Sequence, residues 1–188
     1  MRYTDREMKK IRDTYVSKKF LIVDGYNVIN AWSKLKKLSN EDLEGARTSL
    51  VDYIHEYSKM KGYYAYVVFD AYNVKGQKEV IEDYHGVKVV FTKENQTADS
   101  YIEKFIFTLS KYDSVSVVTS DYAEQQIILG RGGQRIAARE LIEELSNFKK
   151  SIRSNNKKIK SKNQEINRLE NRLNADIYDK LEEIRRRK

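Results

Sequence analysis

Aspartate residues stand at the ends of several short apolar runs in this sequence. Asp24, Asp70 and Asp121 each follow such a run at once or within two residues, and Asp99 opens the helix predicted after another run. A short apolar run bounded by turn residues predicts a buried strand of a parallel sheet. Because the carboxyl ends of parallel strands meet at one edge of the sheet, we expect these four carboxylates to converge there.

Converging carboxylates indicate a site for a divalent cation. They repel one another and raise one another's pKa values, so a cluster is stable chiefly when a cation lies among them. Carboxylate and water oxygens are the ligands that Mg²⁺ and Mn²⁺ prefer. Such ions activate water and stabilise the leaving oxygen in phosphodiester hydrolysis, which then needs no covalent nucleophile. Taken singly, each aspartate is equally well explained as a turn or helix-capping residue.

The composition excludes or weakens other kinds of site. Cysteine is absent and histidine occurs only at positions 55 and 85. This excludes disulfides, thiolate zinc sites and a cysteine nucleophile, and it leaves little material for a Ser-His-Asp relay. No apolar stretch approaches the length of a membrane span, and the N-terminus lacks the apolar segment of a signal peptide. We therefore expect no membrane partner and a cytoplasmic location.

Positive charge is concentrated at the two ends of the chain. The net charge is +8, and residues 149–188 alone hold 14 Lys and Arg against 6 Asp and Glu. Residues 1–19 are basic as well, whereas the middle of the chain is mildly acidic. This distribution favours a polyanionic partner bound by the ends, although a lysine-rich solvated helix would show the same pattern.

The chain between its two ends alternates between strand and helix patterns. Strands are predicted at 20–24, 64–69, 87–91 and 115–119, with a short fifth strand at 135–136. Apolar residues at spacings of three and four predict helices at about 39–60, 97–109 and 122–129 and from 138 onward.

The segments between these elements are predicted to be irregular. Residues 27–32 are expected to form a loop or a single turn, and 71–86 a loop with at most a short strand near 80–81. The alternation of strands and helices predicts an α/β fold in which helices cover both faces of a parallel β-sheet.

We divide the chain into three segments. Residues 1–19 are predicted to be a basic N-terminal extension, 20–145 the α/β domain, and 146–188 a basic helical tail. From Leu145 onward, apolar residues recur every seven positions, but polar residues interrupt the second row of the heptad. Either one long helix or a helical hairpin bent near 161–163 fits that pattern.

Five short motifs lie at 23–27, 68–70, 90–93, 97–103 and 118–125. Together they resemble the NYN domain of the YacP type, a branch of the PIN-like nucleases. The resemblance covers about residues 20 to 145, with the motifs in the order typical of the family. It implies a PIN-like, Rossmann-like sheet and an activity similar to that of the bacterial endoribonucleases of this family.

The resemblance also implies roles for particular residues. The four aspartates match the acidic metal-binding positions of the family, with Mg²⁺ or Mn²⁺ as the cofactor, and Asn27 matches the amide that accompanies the first acid. Ser120 is a supporting candidate that would hold a metal-bound water or a phosphate, although a strand-end hydroxyl can equally satisfy the backbone. Ala137 departs from the pattern, because relatives usually carry a serine that caps the last helix there.

Five further residues are candidates for contact with RNA. Tyr26 has the ring to stack on a base. Arg47 belongs to a recurring part of the first long helix in the family, although an ion pair with Glu44 on the helix face explains it as well. The remaining candidates are basic residues of loops on or near the edge that carries the acids, namely Lys93, Arg131 and Arg135.

Three functions are consistent with these features. We predict a metal-dependent endoribonuclease that acts on mRNA or ribosome-associated RNA. The alternative from another class is a non-catalytic RNA- or ribosome-binding adaptor with a vestigial acidic pocket. A Rossmann-like phosphotransfer domain is disfavoured, because Asp24 has no second acid two residues later and no glycine loop is present to hold a nucleotide.

Overall fold

The computed structural model describes residues 16–71, 76, 78–119, 128–130, 132–151 and 177. The chain divides into two compact units, Met1–Leu145 and Ser146–Lys188. In the second unit, residues 146–151 and residue 177 are helical. The predicted N-terminal extension and helical tail lie largely outside the described residues, as does most of the helix predicted at 122–129.

A six-stranded sheet forms the centre of the first unit. Its strands are β1 (Lys19–Asp24), β2 (Tyr64–Phe69), β3 (Val80–Tyr84), β4 (Val87–Phe91), β5 (Ser114–Val118) and β6 (Gln134–Ile136). They lie in the order β3-β4-β2-β1-β5-β6. The pairs are parallel except for β3 with β4, which are antiparallel. The predicted α/β fold with a parallel sheet is therefore confirmed, and the antiparallel edge strand β3 extends the short strand expected near 80–81.

The first predicted strand lies in the middle of the sheet, between β2 and β5. Leu21, Ile22 and Val23 are completely buried, as expected for a strand covered by helices on both faces. Side chains alternate between the two faces. Phe20 and Ile22 therefore join one hydrophobic cluster, while Leu21 and Val23 join the other.

The segment after β1 is a helix, so the predicted loop at 27–32 is wrong. Helix α1 spans Gly25–Ala31, and the Asp24 carboxylate caps it by accepting a hydrogen bond from the Asn27 N–H. Val28 and Ile29 are buried in the core. A helix this short is stabilised by packing and not by its own propensity, which explains why the local sequence did not predict it.

Two helices replace the single helix predicted from position 39. Helix α2 spans Ser33–Glu41 and α3 spans Leu43–Lys61. Asp42 caps α3 by accepting a hydrogen bond from the Gly45 N–H, so this helix begins about four residues later than predicted. Gly62 ends α3 as expected, in the left-handed conformation with φ 71°, which suits a residue without Cβ.

Helix α4 (Ala98–Thr108) begins as predicted. The Thr97 hydroxyl oxygen accepts a hydrogen bond from the Ser100 N–H, and Asp99 lies in the first turn. Ile102 and Ile106 pack on one face of the sheet with Ile22. Helices α1 to α3 pack on the opposite face. Among the described residues, no helix is long and apolar enough to cross a membrane.

The last helix of the first unit begins at residue 138, and its N-terminus has half of a capping box. The Glu140 carboxylate accepts a hydrogen bond from the Ala137 N–H at 2.9 Å. The reciprocal bond is missing, because Ala137 has no side-chain oxygen to accept from the N–H of residue 140. Ala138 and Leu141 are nevertheless buried in the core, so packing secures the helix.

Completing this capping box is expected to stabilise the protein. Ala137→Ser supplies the missing acceptor and should raise the free energy of unfolding by about 1 kcal/mol. Urea unfolding followed by circular dichroism measures the change. The variant Ala137→Val adds volume without an acceptor and serves as the control. Equal stability of the Ser and Val variants would contradict the capping argument.

Candidate active site

Three of the four predicted acids lie at the carboxyl edge of the sheet, where Asp24 ends β1 and Asp70 follows β2 directly. These strands are parallel neighbours in which Asp24 pairs with Val68, so both carboxylates lie at the same edge. Asp99 reaches it from the first turn of α4. All three side chains are partly buried.

Burial and neighbouring negative charge disfavour the charged forms of Asp24 and Asp70. The pKa of Asp24 is raised to about 6, first by burial and then by the charges of Asp99 and Asp70, against hydrogen bonds from the backbone of Asn27 and Tyr26. The pKa of Asp70 is raised by burial and by the charge of Asp99, against a hydrogen bond from the Ala98 N–H. Perturbed carboxylates gathered in this way are typical of functional sites.

Hydrogen bonds hold Asp70 in place from two directions. Its carboxylate accepts a hydrogen bond from the Ala98 N–H, which ties it to the start of the helix that carries Asp99. On the backbone, Thr92 binds the residues on both sides of Asp70. Its N–H donates to the Phe69 carbonyl at 3.0 Å, and its hydroxyl oxygen accepts from the Ala71 N–H at 3.0 Å.

Thr92 is a positioning residue that the sequence reasoning missed. It is fully buried, and its hydroxyl also donates to the Gln96 carbonyl at 2.7 Å. One side chain thus joins the loop after β2 to the loop that leads into α4. Two signals were present in the sequence: its place directly after the predicted strand 87–91 and its position inside the motif at 90–93.

Arg47 and Tyr26 meet on the other face of the same edge. The Arg47 guanidinium donates two hydrogen bonds to the Tyr26 hydroxyl oxygen, the one from Nε at 3.0 Å. It also forms an ion pair with Glu44 at 3.0 Å, which is the alternative explanation that the sequence offered for Arg47. The guanidinium carbon lies 5.7 Å from the ring centre of Phe69 and 5.5 Å from that of Phe91. The arginine therefore fixes a cluster of aromatic rings as well as forming a surface ion pair.

Replacing Arg47 by lysine is expected to destabilise this cluster. An ammonium group cannot reproduce the planar fork that binds the Tyr26 hydroxyl and the Glu44 carboxylate together. We expect a loss of about 1–3 kcal/mol in the free energy of unfolding, measured by urea denaturation. Arg139→Lys, at an exposed position of the last helix, is the control. A loss no larger than that of the control would contradict the structural role.

The remaining predicted residues lie in different surroundings. Asn27 is partly buried in the first turn of α1, and its N–H donates to Asp24 at 3.0 Å. Lys93 is exposed in the loop between β4 and α4. Arg135 is partly buried on the edge strand β6, and its Nε has no hydrogen-bond partner among the described residues. Asp121, Ser120 and Arg131 lie outside the described residues.

The donor set of the three acids suits a hard divalent cation. Its carboxylate oxygens are the ligands of Mg²⁺ and Mn²⁺, and a cation would offset the burial and the neighbouring charge that raise the pKa values of Asp24 and Asp70. Within the described part of the chain, no three acidic or histidine side chains are arranged around one ion. The fourth predicted ligand, Asp121, lies outside that part.

Comparisons with known proteins place the chain in a family. The sequence model of the YacP-like NYN domain matches residues 21–186. A protein of Bacillus subtilis (strain 168), named Uncharacterized protein YacP, is 44% identical over 142 residues, which cover 75% of this chain and 83% of that protein.

Solved structures of the Bacillus subtilis protein Rae1 (YacP) have the same fold. The crystal structure of a tryptophan-to-leucine mutant of Rae1 matches with a TM-score of 0.66 and 41% identity, covering 76% of this chain and 84% of that one. A second Rae1 (YacP) crystal structure matches with a TM-score of 0.65 and 42% identity over 76% and 82% of the two chains. The predicted PIN-like sheet is thereby confirmed, and the chain belongs to the family of YacP-like NYN domain proteins, a family of the nuclease type.

Proposed function

We propose that the protein is a metal-dependent endoribonuclease that acts on mRNA or ribosome-associated RNA. The observation that supports this most strongly is the group of partly buried carboxylates of Asp24, Asp70 and Asp99 at one edge of the sheet, where burial and neighbouring charge raise the pKa values of Asp24 and Asp70. Burying like charges costs free energy unless a cation offsets it. Membership of a family of the nuclease type supports a role for these carboxylates in phosphodiester hydrolysis.

In this proposal the acids hold Mg²⁺ or Mn²⁺, with Asp121 as a further ligand. When bound, the ion supplies an activated water and stabilises the charge that develops on the leaving oxygen. The chain positions the carboxylates: the Asn27 N–H binds that of Asp24 and the Ala98 N–H binds that of Asp70. Attack of water on phosphorus would leave 5′-phosphate and 3′-hydroxyl ends, with no covalent intermediate on the protein.

The partner in the proposal is a polyanion. The net charge of +8 and the basic residues 149–188 favour association with RNA or with the ribosome. Among the described residues, the exposed Lys93 and the incompletely bonded Arg135 are the candidates for phosphate contact. Arg131 and Ser120 remain predictions from the sequence.

Cleavage of labelled RNA tests the proposal. Wild-type protein with Mn²⁺ should cut a single-stranded RNA and leave 5′-phosphate ends, and excess EDTA should stop the reaction. We expect Asp70→Asn and Asp121→Asn to lose more than about a hundredfold in kcat/KM, because even outer partners of metal ligands contribute roughly 10- to 100-fold. Glu143→Gln, an exposed position on the last helix, is the control. Full activity in EDTA or in either aspartate variant would refute the mechanism.

One observation favours the adaptor function as the second candidate. The described acids are not arranged around a single ion, which is what a vestigial acidic pocket would show. A protein that binds RNA tightly but cuts no RNA with Mg²⁺ or Mn²⁺, and whose affinity is unchanged in Asp70→Asn, would be such an adaptor. Cleavage that depends on Asp70 decides for the enzyme.

A further inference from the structure

A pocket of about 100 Å³ lies between α3 and the strands β3 and β4. Two of its walls are Phe69 and Phe91, the last residues of β2 and β4. Phe69 directly precedes Asp70, and consecutive strand residues point to opposite faces of a sheet. The pocket therefore opens beside the carboxyl edge that carries the acids, on its other face.

The lining combines flat apolar surface with oxygen acceptors. The rings of Phe69 and Phe91 stack with centres 5.6 Å apart, and Arg47 lies over both. Glu44, Thr48 and Glu82 stand at exposed positions and open the pocket to solvent. A cavity of about 150 Å³ accommodates benzene, so this pocket has room for one edge of a planar ring.

The charges of the lining exclude a phosphate as the occupant. Among the charged side chains of the lining, the carboxylates of Glu44 and Glu82 stand against the single cation of Arg47. The Asp83 carboxylate, in contrast, pairs with Lys88 on the opposite face of the strand. The Arg47 cation already binds Glu44 and the Tyr26 hydroxyl. A group with a net negative charge would be repelled, whereas a neutral ring that carries hydrogen-bond donors would fit.

Glu82 is the acceptor left to bind such a donor. The Asp83 carboxylate is paired with Lys88 at 2.8 Å, and Glu44 is paired with Arg47 at 3.0 Å. The Glu82 side chain makes no hydrogen bond or ion pair with another residue of the described part of the chain. Carboxylates accept hydrogen bonds from the exocyclic amino groups of bases, as Glu and Asp do from cytosine N4.

We propose that this pocket binds a nucleobase with an exocyclic amino group, taken from the RNA strand next to the phosphate that is cleaved. The inference rests on the proposed function for the origin of the base. Cytosine, adenine and guanine each offer an exocyclic amino group to Glu82, whereas uracil has only its ring N3–H as a donor. The pocket thus discriminates against uracil at one position of the substrate.

A set of RNAs tests the discrimination. Each RNA carries A, C, G or U at one position around a mapped cleavage site. Its cleavage is measured with the wild-type protein, with Glu82→Gln and with the control Glu56→Gln. Glu56 is an exposed residue of α3 outside the pocket. With the wild-type protein, we expect uracil at one position to lower kcat/KM by about tenfold relative to the other bases. The control Glu56→Gln should show the same difference, and Glu82→Gln should show none. Equal rates for all four bases at every position, or a preference that survives in Glu82→Gln, would overturn the proposal.

Binding of free nucleosides tests the pocket separately from cleavage. In saturation-transfer NMR without metal, we expect cytidine to give stronger transfer than uridine with the wild-type protein. Glu82→Gln should remove the difference, and Thr48→Trp, which fills the pocket from an exposed helix position, should remove the transfer. If the protein cuts no RNA, the proposed function fails, and this measurement alone then shows whether the pocket binds a nucleobase. Equal transfer for both nucleosides, or transfer that persists in Thr48→Trp, would refute it.

Discussion

Replacing Asp24 by asparagine is expected to abolish RNA cleavage and, at the same time, to stabilise the metal-free protein near neutral pH. In the proposed mechanism the variant lacks a ligand charge, so we expect a loss of more than about a hundredfold in kcat/KM. Asparagine caps a helix as well as aspartate does. It therefore keeps an acceptor for the Asn27 N–H that now binds Asp24 at 3.0 Å, and α1 should remain intact.

The stabilisation follows from the raised pKa of Asp24. Burial, with the charges of Asp99 and Asp70, raises this pKa from 3.8 to about 6 in the folded protein. Below about pH 3.8 the carboxyl is protonated in the folded and unfolded chains alike, and it costs nothing. As the pH rises through about 6 the folded protein must ionise a disfavoured group, which lowers its stability by about 3 kcal/mol. The asparagine variant avoids this cost.

The measurement compares unfolding of the two proteins across pH in EDTA. We expect Asp24→Asn to be more stable than wild type at about pH 7.5, by up to about 3 kcal/mol, and the difference to vanish towards about pH 4. Added Mg²⁺ should stabilise the wild type and have little effect on the variant, because binding to the folded state alone raises stability. A variant that is less stable than wild type above neutral pH, or one that still cuts RNA, contradicts the argument.

Replacing Gly25 by alanine is expected to lower the free energy of unfolding by about 1–3 kcal/mol or more. A Cβ atom at this position would lie 2.2 Å from Cε1 and 2.5 Å from Cδ1 of the Phe69 ring. Phe69 is completely buried, and its ring packs against Tyr26 at 5.2 Å and Phe91 at 5.6 Å between centres. The clash must be relieved by moving α1 away from β2 or by pushing the Phe69 ring towards the pocket that it lines.

The control for this prediction is Gly130→Ala. A Cβ atom at Gly130 meets nothing within 4 Å, so we expect the change to be neutral or to stabilise by less than about 1 kcal/mol. The double variant Gly25→Ala/Phe69→Leu should recover part of the loss, since sites in contact do not contribute additively. Urea midpoints measure all of these variants. Equal midpoints for Gly25→Ala and wild type would show that the ring can move.

Strands were predictable from the sequence where apolar residues dominate a short run. In β1, β2, β4 and β5 most residues are apolar, although Lys88 and Ser116 interrupt two of the runs, and the aspartates near these runs were visible without knowledge of the fold. Strand β3 differs, because Val80 to Asp83 are all exposed. It forms at the sheet edge through its antiparallel pairing with β4, a partnership that no local pattern signals.

Helix boundaries were less predictable, because several residues near one another can cap a helix. Ser39, Asn40 and Asp42 all have suitable side chains, and the structure uses only Asp42 for α3. The choice follows from burial of Leu35 in α2, which extends the preceding helix to Glu41. Tertiary packing thus overrides the local capping preference.

The sequence alone determined which chemistry the edge of the sheet offers: carboxylates after apolar strands, in the order of a YacP-type NYN domain. Tertiary structure decided how that edge is built. Thr92 clamps the backbone around Asp70, and Arg47 joins Tyr26, 21 residues away along the chain. The physical reason is that an apolar run and the acid that follows it are neighbours in the sequence, so that they can be recognised without the fold. Hydrogen bonds and ring packing between distant segments exist only once the sheet has brought those segments together.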